Sequence, residues 1–379
     1  MDVQGGRMRR RAVWQRDPVL LVPAALTGVI AVAAVLTPPP LPFTRLLVIA
    51  PALAASLWAV WPTLALGAAC ALGVVWYAVL YGHWDDLMFT VSSIVTVTGA
   101  AAYASHLRRQ RERTLGQVRA VADTTQEVLL RPLPRRVGQL ETATLYLAAA
   151  PHAKVGGDFY AAADTPFGLR LLLGDVRGKG LPAVGVAAAV LGSFHEVAYE
   201  ERSLEDVARR LDTSMGRYCG SRSDLEPSNS NSDSDFGTDA EEFATAILGE
   251  IGHDATHLSF LNCGHPPALL FHGDVVRSLD PQSVSPPINL AQTLGLAYSV
   301  ERAPFGPGDT LLLYTDGVTE TRAPDGTYFP LERWARGIPA GVAPLELLTL
   351  LHEALLVQSG GELNDDIACL AIHHREEKA

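Results

Sequence analysis

The stretch VGGDFYAAADTPFGLRLLLGDVRGKG, residues 155–180, decides how the soluble part of the chain is read. It reads as a β-hairpin with two acids, Asp158 and Asp175, each beside a glycine and at opposite ends, and with a lone Lys179 between two further glycines. A single aspartate beside glycine is an ordinary turn residue. Acids at the tip of a hairpin need another reason once more of them are found at strand ends.

Working outward, short β-type runs separated by turns continue on both sides. ATLYLAAA (143–150), GLRLLLGDV (168–176), FATAILGEI (243–251), THLSFLN (256–262), ALLFHGDVVRSL with a Gly273-Asp274 turn, DTLLLYTD (309–316) and DIACLAIHH (366–374) all have strand character. Helical stretches at about 181–200, 203–218 and 344–357 are interleaved with them. The expected class is α+β, an antiparallel β-sandwich flanked by helices. The strands end in acids: Asp158, Asp175, Asp316 in YTDGVTE, and Asp365-Asp366 in NDDIA. Carboxylates and carbonyl oxygens with no Cys or His among them suit a hard divalent cation such as Mg²⁺ or Mn²⁺. Two such ions can activate a water and neutralise a phosphate under attack.

Ahead of this region the composition changes. Through Arg113 there are 10 basic and 5 acidic residues, and beyond it 20 and 36, so the soluble half has no basic stripe with which to bind nucleic acid. Four apolar runs, at roughly 18–37, 45–61, 62–81 and 86–105, have about the length a helix needs to cross hydrocarbon. They are separated by PPPLPFT, by Trp61-Pro62 and by GHWDD. Repeated runs do not fit a signal peptide, which has one short apolar core. The first span follows Arg7, Arg9, Arg10, Arg11 and Arg16, and the last precedes Arg108, Arg109, Arg111 and Arg113. The positive-inside tendency then puts both ends in the cytoplasm, as an even number of spans requires. The mid-span positions carry no charge to mark an ion path, which argues against a transporter.

The expected organisation is a basic cytoplasmic N-terminus (1–17), four transmembrane helices (18–105) embedded in membrane lipid, a connector helix (106–134), and a soluble domain (135–379). Leu115, Val118, Val121, Thr125 and Val128 fall on one face of the connector. That face suits either a coiled-coil seam in a homodimer or packing on the next domain. A polar segment at 221–241, rich in Ser, Asp and Asn, reads as a disordered insertion, since it lacks the ligand spacing of a calcium loop. The scattered cysteines, Cys70, Cys219, Cys263 and Cys369, read as small hydrophobes or free thiols.

Five segments in order, VGGDFY, GDVRGKGLPA, NCGHPPALL, LLLYTDGVTE and NDDIACLAI, resemble the bacterial PPM-type serine/threonine protein phosphatases of the stage II sporulation protein E (SpoIIE) class. The resemblance covers about residues 125–374. It implies a dinuclear Mn²⁺ or Mg²⁺ centre between the sheets and a bridging hydroxide that attacks phosphoserine or phosphothreonine. By position, Asp175 bridges the two metals, Asp158 and the Val176 carbonyl complete one site, and Asp316 and Asp365 the other, so that Asp158 and Asp175 act in catalysis through the metal-held hydroxide. Asp366 adjoins the last ligand, and the register between it and Asp365 stays open. Lys179 is placed either to meet substrate phosphate or to solvate a loop, and His265 reads as a structural turn residue. Two positions depart from the family pattern: Ala161 stands where an acid is usual, and Arg177 where Ser is common.

The implied function is a membrane-anchored phosphatase in signal transduction, acting on a cytoplasmic regulator of the anti-sigma-factor-antagonist type in a partner-switching pathway. The competing reading is a catalytically inactive membrane sensor or scaffold with a phosphatase-like domain. Retention of the acids favours the enzyme, because an uncompensated acid cluster costs a scaffold stability.

Overall fold

The computed structural model describes residues 21–36, 43–82, 84, 86–130, 133–148, 156–225, 242–361, 363 and 365–376. The basic N-terminus expected at 1–17 lies outside them. The chain divides into two compact units, Met1–Gln117 and Val118–Ala379.

The first unit is helical. Helix α1 (Val22–Leu36) is followed by a 3₁₀ turn (Phe43–Val48) that runs into α2 (Ile49–Leu57), then by α3 (Val60–Tyr81) and α4 (Leu87–Leu129). The chain breaks at an extended Trp58, three residues before the expected Trp61-Pro62 break. Pro62 instead occupies the first turn of α3, where its missing N–H costs nothing. The last carbonyls of α2 find donors across the unit: Ser105 Oγ donates to Trp58 O at 2.8 Å, and Arg108 donates to Ser56 O and Trp58 O. A Cβ on Gly67 would lie 2.2 Å from Thr98 Oγ1, so glycine lets α3 and α4 approach closely. Trp61, Leu72, Trp76 and Met88 are exposed.

Among the described residues, three helices are long and apolar enough to cross a membrane: Val60–Tyr81, Leu87–Thr114 and Leu181–Glu200. The third, helix α5, belongs to the second unit, where Val186, Val190, Phe194 and Val197 are buried in its core. The described parts of the first two expected spans are shorter, so the unit is compatible with a membrane location without fixing four crossings. The side chains of the expected connector seam lie outside the described ones.

The second unit contains two antiparallel sheets. One, in the order β1-β2-β11-β10-β7-β8, is built from Arg136–Val137, Leu140–Leu147, Ile367–His374, Thr310–Tyr314, Leu269–His272 and Val275–Ser278. The other, in the order β3-β4-β5-β6-β9, is built from Asp158–Thr165, Gly168–Val176, Ala244–Ile251, His257–Cys263 and Glu301–Pro304. Strand β4 is buried along nearly all its length, which explains why Leu171, Leu172 and Leu173 run without polar alternation. Helices α5 (Leu181–Glu200) and α6 (Leu204–Leu225) lie outside the β3-β4-β5 sheet, and α10 (Pro344–Ser359) packs on β2 and β11. The fold is therefore α+β, with the sandwich covered by helices on both faces.

The helices start and stop as their sequences dictate. In α6, Asp206 N–H donates to Ser203 Oγ and Ser203 donates to the Asp206 carboxylate, which together cap the first turn. Pro344 opens α10, and Gly360, at φ 71°, closes it. Arg170 on β4 is fully buried: it pairs with Glu250 on β5 at 2.7 Å and donates to the carbonyls of Ala198, Glu201 and Arg202. It thereby ties the corner between α5 and α6 to the sheet.

The first residues of the expected insertion belong to α6. Residues Ser221–Leu225 are helical, because α6 runs on to Leu225 and Arg222 pairs with Glu242 at the start of the following strand segment. The remainder of the expected insertion lies outside the described residues. Cys219, Cys263 and Cys369 are buried, and burial pushes the thiols of Cys263 and Cys369 far up, so they behave as hydrophobes.

Candidate active site

The hairpin of β3 and β4 turns at Thr165–Gly168, and its register pairs Asp158 directly with Asp175. The two acids thus face each other at the open end of the hairpin, and the tip carries neither. Strand β10 ends at Tyr314, and Asp316 follows in the first turn of the short helix α8 (Asp316–Glu320), two residues past the strand. Asp158, Asp175 and Asp316 each offer a carboxylate oxygen within 4.8 Å of the others.

Asp158 is 4% exposed and accepts a 2.7 Å hydrogen bond from Thr315 Oγ1. Thr315 is itself fully buried, and its Oγ1 also accepts from Ala368 N–H at 3.0 Å, so it links β10, β11 and β3 through one oxygen. Burial, then the charge of Asp175, pushes the Asp158 carboxyl well above the usual carboxylate range, against the pull of Thr315. Burial followed by the charges of Asp316 and Asp365 lifts Asp175 to about 7. Asp316 is raised as well, by burial and by Glu320 and Asp365. The cluster is negative charge short of a counter-ion.

Asp365 and Asp366 part company. Asp365 is half-exposed, and its Oδ2 lies 2.9 Å from Lys179 Nζ. Asp366 is 4% exposed and accepts from Tyr146 Oη at 2.8 Å and Gly156 N–H at 2.9 Å, which ties β11 to β2 and to the segment entering β3. Both bonds fall on its Oδ2. The Asp365 hydrogen bond holds the Lys179 ammonium above its ordinary value.

Two glycines set how closely the strands approach. A Cβ on Gly157 would lie 2.6 Å from Val176 O, and one on Gly317 would lie 2.0 Å from Asp366 O. Each is backbone against backbone, so no rotamer change relieves it. Gly317→Ala should therefore push the start of β11 away from α8 and destabilise the unit by about 1–3 kcal/mol. A thermal melt of the variant should show a drop of several degrees, and an unchanged melt would mean that the contact is looser than described.

His265 lies beneath the site, where its Nε2 meets Tyr314 O at 3.1 Å and its Nδ1 meets Thr245 Oγ1 at 3.2 Å. The Asn262 side chain bonds both His265 N–H and His265 O, which closes the turn after β6. Burial drops the imidazole pKa to about 3. The His265 ring is thus neutral near pH 7.

Thr315 and Tyr146 escaped the sequence reading. The signal for Thr315 was its place immediately before Asp316-Gly317. Tyr146 had none, because its link to Asp366 is made across the sheet.

Residues 165–375 match the family described as Stage II sporulation protein E (SpoIIE). The chain belongs to this family. The SpoIIE match covers the second unit from the hairpin turn to the end of β11. The chain is also 25% identical over 255 residues to Protein IcfG from Synechocystis sp., covering 64% of this chain and only 39% of that protein. Among solved structures, the SiaA-PP2C domain of Pseudomonas aeruginosa matches with a TM-score of 0.51 and 19% identity, over 69% of this chain and 98% of that one. The PP2C phosphatase domain with a regulatory-domain fragment of SpoIIE from Bacillus subtilis matches with a TM-score of 0.47 and 18% identity, over 62% of this chain and 63% of that one. At these identities, structural likeness speaks to fold alone. The second unit is a PPM-type phosphatase domain by family and by architecture.

Proposed function

We propose that the chain is a membrane-anchored, metal-dependent protein serine/threonine phosphatase that removes phosphate from a cytoplasmic regulatory protein. The observation that carries this reading is the cluster of Asp158, Asp175 and Asp316 within 4.8 Å, with all three carboxyls raised. The donor set fits Mn²⁺ or Mg²⁺: it is oxygen only, and the Val176 carbonyl, which follows Asp175 in the chain and which Gly157 leaves uncrowded, would add to it. Asp175 would serve both positions, with Asp158 and Val176 O completing the inner one and Asp316 and Asp365 the outer one. Asp366, engaged by Tyr146 and Gly156, serves as the anchor that orients Asp365. When bound, a pair of divalent ions supplies Lewis-acid charge to phosphoryl oxygens and acidifies a water. The protein's own part is to gather the carboxylates in one cleft, with Thr315 fixing Asp158.

The membrane reading adds an anchor comprising the apolar helices of the first unit, with both ends cytoplasmic because basic clusters flank it. The proposed domain limits are 18–105 for the anchor, 106–134 for the connector and 135–379 for the phosphatase. The substrate class, an anti-sigma-factor antagonist, rests on the resemblance to phosphatases of partner-switching pathways.

The test is release of phosphate from a phosphoserine peptide by the full chain in detergent. Release that requires Mn²⁺ or Mg²⁺ and stops in EDTA is expected. No release with either ion would leave the partner-binding scaffold instead.

A further inference from the structure

Lys179 lies between β4 and α5, and its ammonium is 2.9 Å from Asp365 Oδ2. Asp365 does not belong to the group of carboxylates within 4.8 Å of one another, although its charge acts on both Asp175 and Asp316. One oxygen of its side chain is held, since Asp366 N–H donates to Asp365 Oδ1 and Asp366 is itself anchored at Tyr146 and Gly156. Its other oxygen faces the lysine.

We propose that Lys179 is a built-in occupant of the outer half of the acidic site, holding Asp365 until a second divalent ion displaces its ammonium. The proposal rests on the metal reading above and goes beyond it by making the two cation positions unequal.

Three features make the pair a reversible one. Both side chains are well exposed, at 44% and 38%, so the ion pair is worth little and opens readily. Lys179 sits between Gly178 and Gly180, at φ 114° and 87°, and a Cβ on Gly178 would meet nothing within 4 Å, so the loop has room to swing. The ammonium also repels an arriving dication, so its presence weakens the outer position twice, by occupying a ligand and by charge. The inner position feels the ammonium through the charge of Asp175 but loses no ligand atom to it, because its buried ligand Asp158 takes its hydrogen bond from Thr315. Loading is therefore ordered, the inner ion first and the outer ion only when Lys179 yields.

The experiment is Mn²⁺ titration of the full chain in detergent at pH 7.5, with free Mn²⁺ counted by electron paramagnetic resonance. Wild type should show one tighter and one weaker Mn²⁺. Lys179→Met should tighten the weaker constant at least about fivefold, roughly 1 kcal/mol, and change the tighter one by less. Lys179→Arg, which keeps the charge, should resemble wild type. Adding Asp365→Asn to Lys179→Met should abolish the gain. A weaker constant that is unaltered or looser in Lys179→Met, or a gain that survives Asp365→Asn, overturns the proposal and leaves the metal site standing. Absence of Mn²⁺ binding in wild type overturns both. Lys179 is exposed and outside the core, so the variants are expected to fold.

Discussion

Asp175→Asn should lower the rate of phosphate release at least about a hundredfold, on the order of 3 kcal/mol of barrier. Asp175 lies opposite Asp158 on the neighbouring strand and within 4.8 Å of Asp316 as well, so it is the carboxylate shared by both halves of the cluster. The amide keeps the shape and removes the charge, which makes the change electrostatic and leaves packing alone. Asp158→Asn and Asp316→Asn each touch one half, so their losses should be smaller and partly recovered at high Mn²⁺. The measurement is single-turnover release from a phosphoserine peptide across a Mn²⁺ series. An Asp175→Asn protein as fast as wild type would end the enzymatic reading of the cluster.

The stabilisation of the second unit by divalent ions should depend on pH. Burial and the neighbouring acids lift Asp175 from 3.8 to about 7 in the fold, and Asp158 is raised well above the usual carboxylate range as well. A carboxyl whose folded pKa is raised contributes stability while protonated. That contribution is present below pH 4 and drains away as pH climbs through about 7. Without a cation, the unit is therefore strained at neutral pH by a few kcal/mol from this source. A divalent ion offsets that strain, and protons compete with it at low pH. The difference in melting temperature between millimolar Mn²⁺ and EDTA should be small at pH 5 and reach roughly 5–10 °C at pH 8, given about 2.7 kcal/mol at a hundredfold excess over Kd. The difference is the quantity to follow, because His265 works the other way on the absolute value. With a folded pKa of about 3, it contributes stability above about 6.5 that is lost as pH falls. A Mn²⁺ effect that is equal at both pH values would show that the ion binds elsewhere.

Where the chain's local chemistry decides structure, the sequence was readable. Strand β4 and helix α5 were expected within a residue of their observed limits, because an uninterrupted apolar run and a glycine-bounded helix leave few alternatives. The hairpin tip was misread as the place of the acids, since a sequence shows which residues are at the ends of a stretch and only pairing shows that two ends meet. Strand β9 escaped notice. Its residues, Glu301-Arg302-Ala303-Pro304, have little strand preference, and it exists because β6 offers it an edge. The break at Trp58 was placed at Pro62 because proline signals a helix boundary from sequence without saying which side of it the chain turns. The second layer of the site, Thr315 and Tyr146, depended on contacts between strands far apart in the chain.

Strand β11 lies between β2 and β10, in the interior of its sheet, yet it is the last strand of the domain to be synthesised. On the ribosome, β2 therefore waits through more than two hundred residues of translation for its neighbour, with an open edge throughout. Such long-range pairing is slow and leaves folding intermediates prone to aggregate. A message cut short before Asp365 would release a chain lacking both that carboxylate and the sheet's middle strand, so premature stops this late should be as damaging as early ones. Apolar helices translated first, if they reach the bilayer early, would hold each unfinished chain apart from its copies until that strand arrives.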